Sequence, residues 1–90
     1  MYKKIDANQR EIVKALRDAG ASVCSLAPMG RGCPDLLGGW REINLLLECK
    51  NLEGRGNRLT PDEDAFIKCW RGKIYIVKSV DEALALLGVE

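Results

Sequence analysis

The feature that most constrains how this chain can fold is a pair of apolar runs, residues 35–40 and 43–50, separated only by Arg41-Glu42. Two runs of similar length joined by two residues suit a β-hairpin, although the favoured Asn-Gly turn chemistry is missing. Gly38-Gly39 is a competing turn, but turning there would leave residues 35–37 as a very short first arm. With Arg41-Glu42 as the turn, Trp40 pairs with Ile43, and counting outward sets Leu36 opposite Leu47 and Asp35 opposite Glu48. The period of two then places Glu48 and Lys50 on one face of the strand and turns Cys49, with Leu45 and Leu47, to the other.

The rest of the chain supplies what such a hairpin needs for burial. Asp6-Ala7-Asn8-Gln9 offers an N-cap acid, after which Ile12, Leu16 and Ala19 recur at helical spacing until Gly20, predicting a helix over 7–19. Residues 22–26 alternate polar and apolar, predicting a half-buried strand that stops before Pro28, and 29–32 form a flexible basic turn. Residues 51–58 are polar and glycine-containing, a mobile loop. Thr60-Pro61-Asp62-Glu63 is a capping box that opens a second helix, with Phe66, Cys69 and Trp70 as its buried stripe. Residues 73–77 are β-branched and aromatic, a strand; Ser79-Val80-Asp81-Glu82 is another capping box, opening a helix with Val80, Ala83, Leu84 and Leu87 on one face. The expected order is α-β-β-β-α-β-α in a single α/β domain spanning residues 1–90. Its sheet is mixed and four-stranded, flanked by helices, with the last strand parallel to its neighbour after a helical crossover.

Composition narrows the chemistry. The chain has no histidine, which removes the usual general base, the commonest transition-metal ligand and the Ser-His and Cys-His nucleophile pairs. Any catalysis must come from carboxylates, lysine and a metal. Cys24, Cys33, Cys49 and Cys69 form no C-x-x-C pair and are expected to be small buried apolar residues rather than zinc ligands or disulfides. The formal charge of +1 gives no global attraction to a phosphate backbone, so nucleic-acid contacts must be local. No apolar run is long enough for a membrane span, and the opening residues lack a signal core, so a soluble cytoplasmic protein is expected.

Asp35 opposite Glu48 is costly as structure alone, because like charges directly across a sheet repel. A divalent cation between them resolves the conflict. Hard oxygen ligands suit magnesium or manganese, which use one or two carboxylates together with substrate phosphate oxygens and keep several waters. Lys50, on the same face, is placed to hold an attacking water or to neutralise charge building on a phosphate.

Taken together, Gly32-Cys33-Pro34-Asp35-Leu36, Leu47-Glu48-Cys49-Lys50, Leu59-Thr60-Pro61, Gly72 and the Ile74-Tyr75-Ile76-Val77 strand resemble the PD-(D/E)xK nuclease superfamily. Within it the chain is similar to the small stand-alone VRR-NUC domains typical of viruses and bacteria, which places it in a bacterial host or phage-infected cell. The resemblance implies a restriction-endonuclease-like core and an Mg2+- or Mn2+-dependent DNA endonuclease. In it Asp35 and Glu48 bind metal, the main-chain carbonyl of Cys49 joins them and Lys50 is catalytic. It also implies an acidic residue on the first helix, matched by Glu11; an exposed pair between Glu11 and Lys14 is the alternative. Family members often carry glutamine shortly after the L-[ST]-P segment, where this chain has Glu63, here assigned to the capping box.

Arg31, Lys50, Arg55 and Arg58 flank the expected site, and Arg10 and Lys14 lie on the first helix near Glu11. These are the candidate phosphate contacts, and no residue set suggests base readout, so recognition of DNA shape is expected. Trp40 and Trp70 are core residues or interface anchors. The resemblance implies a homodimer with paired sites that cuts branched DNA such as four-way (Holliday) junctions. The alternatives are a catalytically silent nucleic-acid-binding module with the same fold, or a nuclease directed to flaps or nicks.

Overall fold

A computed structural model describes residues 7–51 and 58–88. In chain order the elements are α1 (Ala7–Asp18), β1 (Ser22–Ser25), a short 3-10 turn (Ala27–Met29), β2 (Leu36–Trp40), β3 (Ile43–Cys49), α2 (Pro61–Cys69), β4 (Ile74–Val77) and α3 (Val80–Leu86). The sheet runs β1-β2-β3-β4, antiparallel across the first two junctions and parallel between β3 and β4. This is the α/β architecture and element order expected from the sequence. The 3-10 turn is an addition: Pro28 ends β1 pairing but seeds a tight turn before the glycines.

The hairpin register is the anticipated one, with Trp40 opposite Ile43 and Leu36 opposite Leu47. Arg41 (φ 49°) and Glu42 (φ 69°) both adopt left-handed backbone, the pattern that lets a two-residue turn match the twist of its strands. Gly38 and Gly39 lie within β2 and do not turn.

Strand alternation gives the sheet two unlike faces. Leu36, Leu45, Leu47, Cys49 and Val77 form the core with Ile12 and Leu16 of α1 and Ala83 and Leu87 of α3. Trp40 joins that core and donates its indole N–H to the Leu87 carbonyl at 3.0 Å, so it is a core residue. The other face carries Leu37, Leu46, Ile74 and Ile76 and is only partly covered by α2, leaving Ile76 42% and Trp70 46% exposed.

The expected buried stripe on α2 is therefore corrected. Phe66 is half-buried and stacks on Trp70 at 5.3 Å, Cys69 is exposed, and the buried side chain of the helix is Glu63. The helix is held at its first turn, where Thr60 Oγ1 accepts from the Glu63 N–H and Glu63 Oε1 accepts from the Thr60 N–H. The cysteine expectation also changes. Cys49 is buried and Cys33 half-buried, but Cys24 and Cys69 are exposed, because both belong to the thinly covered side of the sheet. Asp6 and Arg55 lie outside the described residues, as does most of the loop at 51–58. Among the described residues no helix is long and apolar enough to cross a membrane.

Candidate active site

Asp35 lies one residue before β2, Glu48 near the end of β3, and Lys50 immediately after β3. The Lys50 N–H donates to the Val77 carbonyl at 2.9 Å, so parallel pairing with β4 extends one step beyond the strand and fixes the lysine backbone. On the Asp35 side, its carbonyl accepts from the Leu26 N–H at 2.8 Å and its Oδ2 accepts from the Cys49 N–H at 2.7 Å. One aspartate thus ties β1, β2 and β3 together at the same end of the sheet, with its carboxylate beside the Glu48-Cys49-Lys50 segment.

All three side chains are buried: Asp35 is 3%, Glu48 1% and Lys50 8% exposed. Lys50 Nζ lies 2.6 Å from Glu63 Oε1 and 3.5 Å from Glu48 Oε2. The longer contact is not a hydrogen bond, and Glu48 Oε2 has no hydrogen-bond partner. A buried carboxylate oxygen left in this state is costly. Burial, then the charge of Asp35 and the neighbouring Asp35 and Glu63 carboxyl groups, push Glu48 up to about 9. Glu63 moves the other way. Burial acts to raise it, but hydrogen bonds from Lys50 and the Thr60 N–H, helped by Glu48, outweigh burial and hold it at about 2. Burial, with the charges of Glu48 and Asp35, also raises the Cys33 thiol, keeping it protonated.

A cleft of about 730 Å³ opens beside this cluster, with Asp35 and Glu63 in its walls together with Arg31, Cys33 and Thr60. Glu48 and Lys50 are not among the lining residues; Lys50 connects to the cleft wall through Glu63. Gly32 sits where the loop meets the start of α2. It has φ +79°, and a Cβ there would lie 2.2 Å from the Asp62 carbonyl oxygen and 2.8 Å from the Glu63 nitrogen. Only glycine permits this close approach and backbone angle together, so the loop leading to Asp35 is seated against the helix end that presents Glu63.

The other sequence candidates are placed unevenly. Arg31 lines the cleft, in left-handed backbone at φ 54°. Arg10 and Lys14 line a separate groove between α1 and β1 with Arg17. Lys14 pairs with Asp18 at 2.6 Å instead of with Glu11. Glu11 is exposed and Arg58 is exposed, neither among the walls of the cleft. The α1 side chains that do reach this end of the sheet are neighbours of Glu11. Asn8 Nδ2 donates to the Lys50 carbonyl at 2.8 Å and the Lys78 carbonyl at 3.3 Å, and Gln9 is buried. Gln9 had a sequence signal, being a polar residue in line with Ile12 and Leu16 on the buried stripe; Asn8 had none.

Among the described residues, no group of three or more cysteine, aspartate and glutamate side chains is arranged to hold a metal ion unaided. A magnesium-type site does not require one, since such ions take one or two carboxylates and complete their shell with water and phosphate oxygens. The donor set of Asp35, Glu48 and intervening backbone is all hard oxygen, and the orphaned Glu48 oxygen is the atom a cation would satisfy. The residues fit such an ion. No family model, curated protein or solved structure matches the chain.

Proposed function

We propose that the chain is a divalent-metal-dependent deoxyribonuclease that hydrolyses phosphodiester bonds in branched DNA. The observation that carries the reading is the buried, orphaned Glu48 oxygen beside Asp35 and Lys50, in a cluster whose Asp35 and Glu63 line an open cleft. A fold that needed only stability would not retain it.

Asp35, Glu48 and the Cys49 carbonyl would hold Mg2+ or Mn2+, which supplies Lewis-acid polarisation of the phosphate and a more acidic bound water. The protein's own contributions follow from the geometry. Asp35 is oriented by the Cys49 N–H, which donates to its Oδ2 at 2.7 Å, and the residue lines the cleft. Lys50, held at the same end of the sheet, offers a positive charge to the phosphate as it becomes more negative. Arg31, on the cleft wall, is the candidate to grip the DNA backbone, a contact that would fix register without reading bases. Arg10, Lys14 and Arg58, which are not among the cleft walls, remain as outer phosphate contacts and Glu11 as an outer carboxylate; Arg55 lies outside the described residues.

A homodimer belongs to the same proposal. Leu26, Met29, Leu37, Leu46, Phe66 and Trp70 line an apolar groove on the thinly covered face, with Met29 66% exposed. Such a patch on a small domain marks an interaction surface, and a second copy would set two clefts on one DNA molecule.

The test is a cleavage assay over linear, nicked, flapped and four-way-junction DNA with Mg2+, Mn2+ or EDTA, alongside sedimentation of the same preparation. The expected result is metal-dependent cutting, strongest on the junction, by a two-copy species. Asp35→Ala, Glu48→Ala and Lys50→Ala should each lower the rate about 100-fold or more. DNA binding without cutting, or cutting that persists in these variants, would refute the reading.

A further inference from the structure

We propose that Glu63 is the positioning residue for Lys50, holding its ammonium group away from Glu48; the proposal rests on the nuclease reading above. Its basis is the shared oxygen Glu63 Oε1, which accepts from Lys50 Nζ at 2.6 Å and from the Thr60 N–H at 2.8 Å. Capping alone does not account for this arrangement. The corresponding glutamate of α3, Glu82, accepts from the Lys78 N–H at 2.9 Å while remaining exposed to solvent. A glutamate can therefore satisfy backbone at a helix start without being buried.

Glu63, by contrast, is 5% exposed and is the residue that α2 buries. Placing an ionised carboxylate there costs desolvation that only a close, well-hydrogen-bonded partner offsets. That partner is Lys50, whose flexible four-carbon stem otherwise lets the ammonium swing. The alternative carboxylate within reach is Glu48, 3.5 Å away. Without Glu63 the ammonium would collapse onto the Glu48 oxygen assigned to the metal, removing both a ligand and the charge meant for the phosphate. Gly32 completes the device. Its contact with Asp62 and Glu63 backbone fixes the start of α2 against the loop that leads to Asp35, so helix, lysine and aspartate keep one relative position.

Glu63→Ala and Glu63→Gln separate this role from capping, since glutamine is itself a capping-box residue and should keep the helix start intact. Ser79→Ala, which removes the α3 cap at Glu82, is the control for loss of a helix cap elsewhere. The first readout needs no activity: the 15N-ammonium NMR signal of Lys50 in the metal-free protein. It should be protected in the wild type and Ser79→Ala, and shifted or broadened in Glu63→Ala. The second readout is cleavage with Mg2+. In Glu63→Ala, kcat should fall about 10- to 100-fold, the range typical for residues that orient a catalytic group, with little change in KM for DNA. Glu63→Gln, whose neutral hydrogen bond is weaker, should fall between Glu63→Ala and wild type. An unaltered Lys50 signal or wild-type kcat in Glu63→Ala overturns the proposal and leaves the nuclease reading standing. A wild type that cuts no DNA with either metal overturns both.

Discussion

At the scale of single residues, Glu48 and Glu63 have opposite effects on stability although both are buried glutamates. Glu48 is raised from 4.5 to about 9, so between those values the unfolded chain ionises it while the folded chain keeps its proton. Its cost is absent below pH 4.5 and grows as pH rises toward 9. Glu63 is lowered from 4.5 to about 2, so its contribution is present above 4.5 and is lost as pH falls toward 2. Together they predict a protein that weakens toward both ends, with the alkaline limb due to Glu48. Glu48→Gln should flatten that limb and raise stability by about 1–2 kcal/mol, the usual gain when a functional site is relieved of strain. Urea denaturation near pH 5 and pH 8.5 checks this, the gain being larger at the higher pH. A Glu48→Gln protein no more stable than wild type at either pH contradicts it. The sequence disclosed Asp35, Glu48 and Lys50 because strand parity and hairpin counting are local rules. It did not disclose the Glu63–Lys50 pair, because that contact joins a helix start to a strand end across a loop whose path no local rule fixes.

At the scale of elements, the hairpin was legible from run length alone and was correct in register despite its unusual turn. Arg41 and Glu42 both carry positive φ, which costs L-residues roughly 1–2 kcal/mol each. Part of that is offset where the Arg41 guanidinium lies 4.9 Å from the Trp40 ring centroid. Glu42→Gly removes the penalty at the second position and should stabilise the protein by about 1 kcal/mol. Equilibrium urea unfolding measures this, and an unchanged or lowered midpoint contradicts it. The exposure of the α2 stripe has a reason that also belongs to this scale. Phe66, Cys69 and Trp70 have helical spacing, but spacing does not say which helix finds a complete sheet face to cover. The face beneath α1 and α3 holds the fully buried apolar side chains, and α2 is secured by its capped, acidic first turn.

At the scale of the whole molecule, the sheet separates two tasks. One face, closed by α1 and α3, supplies the core; the other carries the carboxylate cluster at one end and exposed apolar residues toward α2. Asp35 bridges them, since its backbone is part of the hairpin and its carboxylate belongs to the cluster. Cation binding should therefore depend on the hairpin's register and not on the overall charge, which is only +1. The most direct measurement is calorimetric titration of Mn2+ into the metal-free protein at neutral pH, in two buffers of different ionisation heat. The wild type should show saturable binding with proton release, because Glu48 must lose its proton to become a ligand. Asp35→Ala and Glu48→Gln should bind at least about tenfold more weakly. A wild type that binds no Mn2+, or variants that bind it as well as the wild type does, would contradict the account.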